Sequence, residues 1–355
     1  MNHVVLNARF KTRPVTGVER FAREVSARIE SDREIELEEA RPANAIAGWK
    51  GHAWEQFSLP RKLDRDAVLF SPCNTGPVSV RRQLVVIHDA AVWDYPEGFS
   101  GAFRHLYQQL LPRLARRSLG VATVSEFSRR QLAPRLGIPE EKILVLGNAA
   151  SDAFSPDGNL DRPERDGIEL LCVGSLDPRK NLGRLIRAWL LLKTQDRLPE
   201  NATLNLVGGA NPRNFAEFER AEDVSLHWHG RVTDEELVRQ YRHADAFIFP
   251  STYEGFGLPP LEAMACGCPV LLSNAASLPE VGGPGFDLAD PDSDGAVLYF
   301  DPHSEAEIGA ALLRFLELAS AQKRKLRENA LTRAAEFSWD RIAEQTTRAM
   351  EQIAS

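Results

Sequence analysis

Short apolar runs, rich in β-branched residues and bounded by turn residues, recur along this chain with amphipathic stretches between them. In the first half they occupy residues 4–6, 67–70, 84–87, 120–124 and 143–146. Runs this short, with no polar alternation, fit parallel strands buried on both faces. The stretches 19–29 and 128–136 carry helical spacing. A polar segment with Pro and Gly, 150–167, reads as a linker. A second series of strands then follows at 168–173, 203–207, 225–227, 246–249, 270–272 and 297–300, with helical patterns at 182–193, 234–243, 260–265 and 304–318 and a last helix at 339–353. The alternation predicts α/β architecture in two doubly wound units, residues 1–160 and 166–338, each with a parallel sheet. Two such units imply a cleft with ligands at the carboxyl ends of the strands.

Composition agrees with this picture. A chain of 355 residues is long for one core, and 43% hydrophobic with 26% charged residues is the profile of a soluble globular protein. No apolar run approaches the roughly 20 residues that span a bilayer. The opening Met1–Arg9 reads as a first buried strand, not a signal peptide. Cys73, Cys172, Cys266 and Cys268 lack metal-ligand spacing and read as reduced thiols of a cytoplasmic protein. The net charge of −7 divides into +3 for residues 1–165 and −10 for the remainder. That argues against a nucleic-acid binder and is compatible with the first half approaching an anionic membrane surface. The basic and apolar stretch 104–118 is the candidate for such contact, with Pro112 expected to kink any single helix there.

The most informative segment runs from Pro250 to Gly267. It opens at the end of an apolar strand. Gly255 and Gly257 allow backbone to approach a ligand closely, and Pro259 and Pro260 suit the first turn of a helix. That helix start offers amides and a positive dipole end to a diphosphate. Two carboxylates, Glu254 and Glu262, bracket the loop and suit hydrogen bonding to sugar hydroxyls. A second segment, Leu171 to Leu182, ends a strand in Gly174-Ser175 and places Arg179 and Lys180 just before a helix. Adjacent fixed cations there can neutralise the charge of a departing diphosphate without a metal ion.

The two glutamates around Gly-Phe-Gly-Leu-Pro-Pro-Leu resemble the hallmark of the family-4 retaining glycosyltransferases, also called glycosyl transferases group 1. The resemblance implies the GT-B fold, two Rossmann-like domains with parallel sheets facing a central cleft, and a last helix, 339–355, that packs back on the first domain. It implies that Glu254 contacts the transferred sugar and Glu262 the donor ribose, and that the amides of Phe256, Gly257 and Leu258 meet sugar and phosphate. It also implies that Arg179 and Lys180 clamp the diphosphate, though Ser175 stands where many members carry a further arginine. Gly17, in the turn after the first strand, resembles the family's N-terminal glycine loop, which implies a donor-binding role with backbone amides reaching the phosphates. His88, at the end of the strand 84–87, is expected at the reacting centre, with Asp89 orienting it or binding the acceptor. Ser125, Glu126 and Asn148 are similar to segments that line the acceptor side. Gly208, Gly230, Arg231 and Val232 are similar to strand ends near the donor base and phosphates.

Together these imply a metal-independent, retaining hexosyltransferase acting on a nucleotide diphosphate sugar and a glycan or lipid-linked saccharide, with no cofactor. The openings around residues 6–10 and 14–21 and the segment 88–96 resemble bacterial O-antigen and polysaccharide enzymes, which favours GDP-mannose over UDP-sugars and a place at the inner face of the cytoplasmic membrane. A nucleotide-sugar epimerase or hydrolase of the same fold, a phosphorylase and a non-catalytic nucleotide-sugar binder are the rival readings. A dinucleotide oxidoreductase is disfavoured because neither half carries G-x-G-x-x-G between a strand and a helix.

Overall fold

The computed structural model describes residues 3–13, 15–31, 35–44, 46, 48–156, 167–208, 223–290 and 293–355. The chain divides into two compact units, Met1–Asn148 with Ser338–Ser355, and Ala149–Phe337. Most of the anticipated linker, residues 157–166, lies outside the described residues, as do Pro14, Gly209 and the Pro291-Asp292 pair.

The first unit is built on a parallel sheet of β1 (His3–Asn7), β2 (Glu36–Ala40), β3 (Val68–Ser71), β4 (Gln83–Val86), β5 (Gly120–Thr123) and β6 (Ile143–Val145), in the order β2-β1-β3-β4-β5-β6. The central strands are fully buried, as their unbroken apolar runs require. The edge strand β2 shows why the apolar criterion passed over it. Its sequence, Glu-Leu-Glu-Glu-Ala, is exposed at Glu36 and Glu38 and buried only at Ala40, and it exists because β1 offers it a ladder. The closing helix Trp339–Ala354 belongs to this unit. Its ring of Trp339 meets Phe21 edge-on at 5.9 Å, and Arg28 Nε donates to Asp340 at 2.7 Å. The helix Gly101–Arg117 runs through Pro112 as one element. It buries Tyr107, Leu111, Leu114 and Ala115 and leaves Arg104, His105, Arg113, Arg116 and Arg117 exposed. Packing of that apolar face outweighs the hydrogen bond that an internal proline forfeits.

The second unit carries β7 (Glu169–Val173), β8 (Thr203–Val207), β9 (Leu226–Gly230), β10 (Ala246–Phe249), β11 (Val270–Ser273) and β12 (Val297–Phe300). Their order is β12-β11-β10-β7-β8-β9, again all parallel. The order reverses between β7 and β10, and a crevice opens at the carboxyl ends of strands where connections leave in opposite directions. Trp189, fully buried among Leu185, Leu192 and Leu204, satisfies its ring nitrogen by donating to Ser225 Oγ at 2.9 Å. No disulfide joins the four cysteines; burial pushes Cys172 and Cys266 up to about 12, which makes both inert as nucleophiles at neutral pH.

Candidate active site

In the second unit, the residues singled out from sequence gather at the switch between β7 and β10. Past β7 the chain turns through a short 3-10 turn, Pro178–Lys180, before the helix Leu182–Thr194 begins. Asn181 makes the joint. It adopts a left-handed conformation (φ 56°), and its amide donates to the carbonyls of Pro250 at 3.0 Å and Pro302 at 2.7 Å. Asparagine tolerates that backbone region better than most residues, and its amide here ties the turn to the end of β10. A second tie comes from Thr252, whose backbone N–H and hydroxyl both donate to the Arg179 carbonyl, at 2.8 and 3.2 Å.

Both cations of this turn are paired. Lys180 Nζ lies 2.6 Å from Glu254 Oε1 and 5.3 Å from the centre of the Phe249 ring. Arg179 donates Nε to Asp177 Oδ1 at 3.2 Å and Nη2 to Oδ2 at 3.0 Å, and its backbone N–H also reaches Oδ1 at 3.0 Å. Burial opposes ionisation of Asp177, but the hydrogen bonds and charge of Arg179 outweigh it and hold the carboxyl below its ordinary value. Cations sit poorly beside a helix start unless an anion joins them. Asp177 and Glu254 supply that anion within the chain.

Three glycines close the floor of this region. Gly174 N–H donates to the Val207 carbonyl and Gly208 N–H to that of Gly230, both at 2.8 Å. A side chain at Gly208 (φ 149°) would stand 1.9 Å from the Gly174 carbonyl oxygen, so the strand ends meet only because the residue is glycine. Ser175 and Arg231 are exposed and Val232 is partly so, at the ends of β7 and β9.

Past β10 the loop from Ser251 to Gly257 delivers Glu254, then opens the helix Leu258–Ala265 with Pro259 in its first turn. Gly257 (φ 114°) packs so closely on Leu278 that a Cβ would lie 2.7 Å from its Cδ2. Phe256 is buried edge-on against Phe337. Glu262 lies on the same helix and is only 5% exposed. With burial the larger cause, its charge helps raise the Tyr241 phenol well above the ordinary value. Sequence reasoning missed Asp177 as the partner of Arg179, and it missed Ser277, whose hydroxyl reaches the Glu254–Gly257 loop from the far end of β11. Asp177 was legible two residues before the arginine it holds; nothing local marks Ser277.

The first unit places its named residues along the carboxyl ends of its own sheet. His88 follows β4 and is 5% exposed. Its Nε2 faces the Pro72 carbonyl at 2.8 Å, its backbone N–H donates to Asn74 Oδ1 at 2.8 Å, and Phe21 meets its ring edge-on at 5.1 Å. Because Pro72 offers only an acceptor, Nε2 carries the hydrogen and Nδ1 is left as the acceptor. Burial lowers the His88 pKa below its ordinary value, against the raising effects of the Pro72 carbonyl and Asp89. Asp89 Oδ1 instead accepts from Ala91 N–H at 2.9 Å, so it shapes the turn and acts on His88 through charge alone.

Gly17 starts the helix Gly17–Ser31, where Glu19 accepts from both the backbone N–H and the hydroxyl of Thr16. Ser125 caps the helix Glu126–Leu136 by accepting from Ser128 N–H at 3.0 Å, and Glu126 pairs with Arg129 at 2.5 Å. Asn148 is buried, with its Oδ1 unpartnered. Beside them lies a cluster the sequence did not announce. The buried Arg9 guanidinium lies 3.4 Å from Glu55 and donates to Thr75 Oγ1 at 3.0 Å, while Asn7 Nδ2 donates to Glu55 at 2.6 Å. Among the described residues no group of three or more His, Cys, Asp and Glu side chains is placed to hold a metal ion, and no helix is long and apolar enough to cross a membrane.

Comparison with known proteins places this geometry. The family profile described as Glycosyl transferases group 1 matches residues 161–333. The chain is 31% identical over 301 residues to the O-antigen chain mannosyltransferase B of Escherichia coli, an alignment covering 80% of this chain and 74% of that one. It is 31% identical over 278 residues to the serotype-specific mannosyltransferase WbdA of the same organism, covering 74% of this chain and 32% of that longer protein. Among solved structures, Anabaena HepE in complex with UDP and glucose superposes with a TM-score of 0.72 at 18% identity, over 99% of this chain and 100% of that one.

Proposed function

The chain belongs to the glycosyl transferases group 1 and has the GT-B fold, and from that premise we propose that it transfers mannose from GDP-mannose, with retention and without a metal ion, to a saccharide acceptor of cell-surface polysaccharide synthesis. The observation that carries the reading is the pairing of Arg179 with Asp177 and of Lys180 with Glu254 at the switch between β7 and β10. A donor diphosphate arriving there exchanges with these carboxylates for the two cations. The amide-rich start of the helix Leu258–Ala265 faces the same anion. The relatives named as mannosyltransferases support mannose as the sugar.

In this reading the second unit holds the donor. Arg179 and Lys180 take the charge that builds on the departing diphosphate, and Glu254, released from Lys180, orients the sugar hydroxyls. Gly174, Ser175, Gly208, Gly230, Arg231 and Val232 border the nucleotide, and Glu262 the ribose. The first unit, residues 1–148 with the closing helix, carries the acceptor. There the Nδ1 of neutral His88 accepts a hydrogen bond from the reacting sugars, with Ser125, Glu126 and Asn148 alongside, while Gly17 offers its backbone to the donor phosphates. No carboxylate is marked as a covalent nucleophile. The acceptor hydroxyl attacks from the face the diphosphate leaves, and the leaving oxygen takes its proton, so the protein supplies position and charge. Bilayer contact rests on the exposed basic face of the helix Gly101–Arg117, since its apolar face is used in the core. Such contact is electrostatic and screened by salt.

The test is donor turnover with GDP-mannose, UDP-glucose and ADP-glucose, each with a mannoside acceptor and with EDTA present. GDP release that depends on acceptor and survives EDTA supports the proposal. Release with no acceptor would favour the hydrolase or epimerase reading, and restoration by manganese would refute metal independence.

A further inference from the structure

The loop from Glu254 to Gly257 is held from behind by a turn of the chain that the proposed chemistry does not use. Between β11 and the short helix Leu278–Gly282, Ser277 is fully buried, and its hydroxyl lies 2.9 Å from the Glu254 carbonyl and 2.8 Å from the Phe256 carbonyl. One hydroxyl hydrogen is therefore shared between two acceptors two residues apart. The residue before it, Ala276, adopts a left-handed conformation (φ 56°), unusual for a residue with a Cβ. The residue after it, Leu278, is fully buried and presses on Gly257. Strained backbone of this kind persists only where the surroundings over-determine it, and it gathers at sites where placement matters.

The geometry has a directional consequence. Among the described residues there is no cis peptide bond, and in a trans peptide the carbonyl and the following N–H point in opposite directions. With the carbonyls of Glu254 and Phe256 both accepting from Ser277, the N–H groups of Gly255 and Gly257 are both turned away from it. We propose that Ser277 is a positioning residue for sugar transfer: its hydroxyl sets the two peptide planes that follow Glu254 and Phe256, and so aims the Glu254 side chain and the Gly257 amide at the donor sugar. The inference rests on the reading of the Glu254 loop as the sugar-holding element.

The experiment compares Ser277→Ala with Ser273→Ala and Glu254→Gln in the full chain, with GDP-mannose as donor and a mannoside as acceptor. Ser273 ends β11 just before this turn, is equally buried and accepts from Ala275 N–H at 3.3 Å, but makes no hydrogen bond to the loop. Ser277→Ala is expected to lower kcat about 10-fold or more with donor KM within about 3-fold, because orientation rather than docking is lost. Ser273→Ala is expected to stay within about 2-fold of the parent in both constants. Ser277→Cys, close in size with a weaker donor, guards against an alanine variant that does not fold, and is expected to fall between the two. Parent-like kcat in both Ser277 variants while Glu254→Gln is inactive overturns the role of Ser277 alone. An equal fall in Ser273→Ala overturns it as well, by making the turn's integrity the cause. Full activity in Glu254→Gln overturns the reading of the loop and this inference with it.

Discussion

Lys180 and Glu254 are separated by 74 residues in the chain, yet the ammonium of one lies 2.6 Å from the carboxylate of the other. The contact joins the turn after β7 to the loop after β10 at the point where strand order reverses. It means that the cation proposed to meet the diphosphate is occupied by the carboxylate proposed to meet the sugar.

That pairing predicts opposite effects on binding and on transfer. Glu254→Gln removes the competitor for Lys180, so GDP is expected to bind about 2–5-fold more tightly, in line with the modest worth of a partly exposed ion pair. Sugar transfer by the same variant should fall steeply. Lys180→Ala should lower kcat by about 10²–10³-fold, as loss of a fixed charge at a developing anion does. Calorimetric titration with GDP and steady-state kinetics check both; weaker GDP binding by Glu254→Gln would contradict the exchange.

His88 makes stability depend on pH in a stated direction. Its folded pKa lies below the ordinary imidazole value of about 6.5 because burial disfavours the charged ring. As pH falls below that value the unfolded chain takes up the proton first, so this residue costs stability on acidification and nothing above neutrality. His88→Gln should flatten the melting temperature between about pH 6.5 and pH 5. A slope unchanged from the parent protein would place the titrating group elsewhere.

Glu55 acts in the opposite sense. Burial opposes its charge, but His52 at 3.7 Å, the Arg9 guanidinium and the Asn7 amide together hold its pKa below the ordinary carboxyl value. Its contribution is present above that value and is lost as pH falls through the folded pKa. Glu55→Ala leaves Arg9 buried without its counter-charge and should cost about 3–5 kcal/mol in denaturant unfolding. Replacing Arg9 and Glu55 together by apolar residues of similar volume should cost much less, which a double-mutant cycle measures.

Gly208→Ala should destabilise the second unit by about 3 kcal/mol or more, since the added carbon meets the Gly174 carbonyl and the backbone lies where side chains are strained. Gly147→Ala is the comparison: positive φ (83°) but no atom within 4 Å of the added carbon. Thermal melts that place the two variants together would remove the close approach as the cause.

What the sequence determined was whatever is written locally. Buried parallel strands are short unbroken apolar runs, so Val4–Leu6 and Ala246–Phe249 declared themselves, and the glycines, prolines and charged residues of 250–267 and 171–182 stand in consecutive positions whose chemistry is legible without coordinates. β2 was not legible, because an edge strand of glutamates takes its order from β1 and not from its own residues. Nor were the pairings that set the site. Lys180 with Glu254, Arg9 with Glu55, and Ser277 with the carbonyls of residues 254 and 256 each join segments far apart in the chain. Such contacts are fixed by strand order and register, which bring loop ends together at one edge of a sheet, and a hydroxyl or carboxylate gives no local sign of which distant group it will meet. The sequence named the chemistry, and the tertiary structure decided which charge answers which and which backbone groups are held in place to use it.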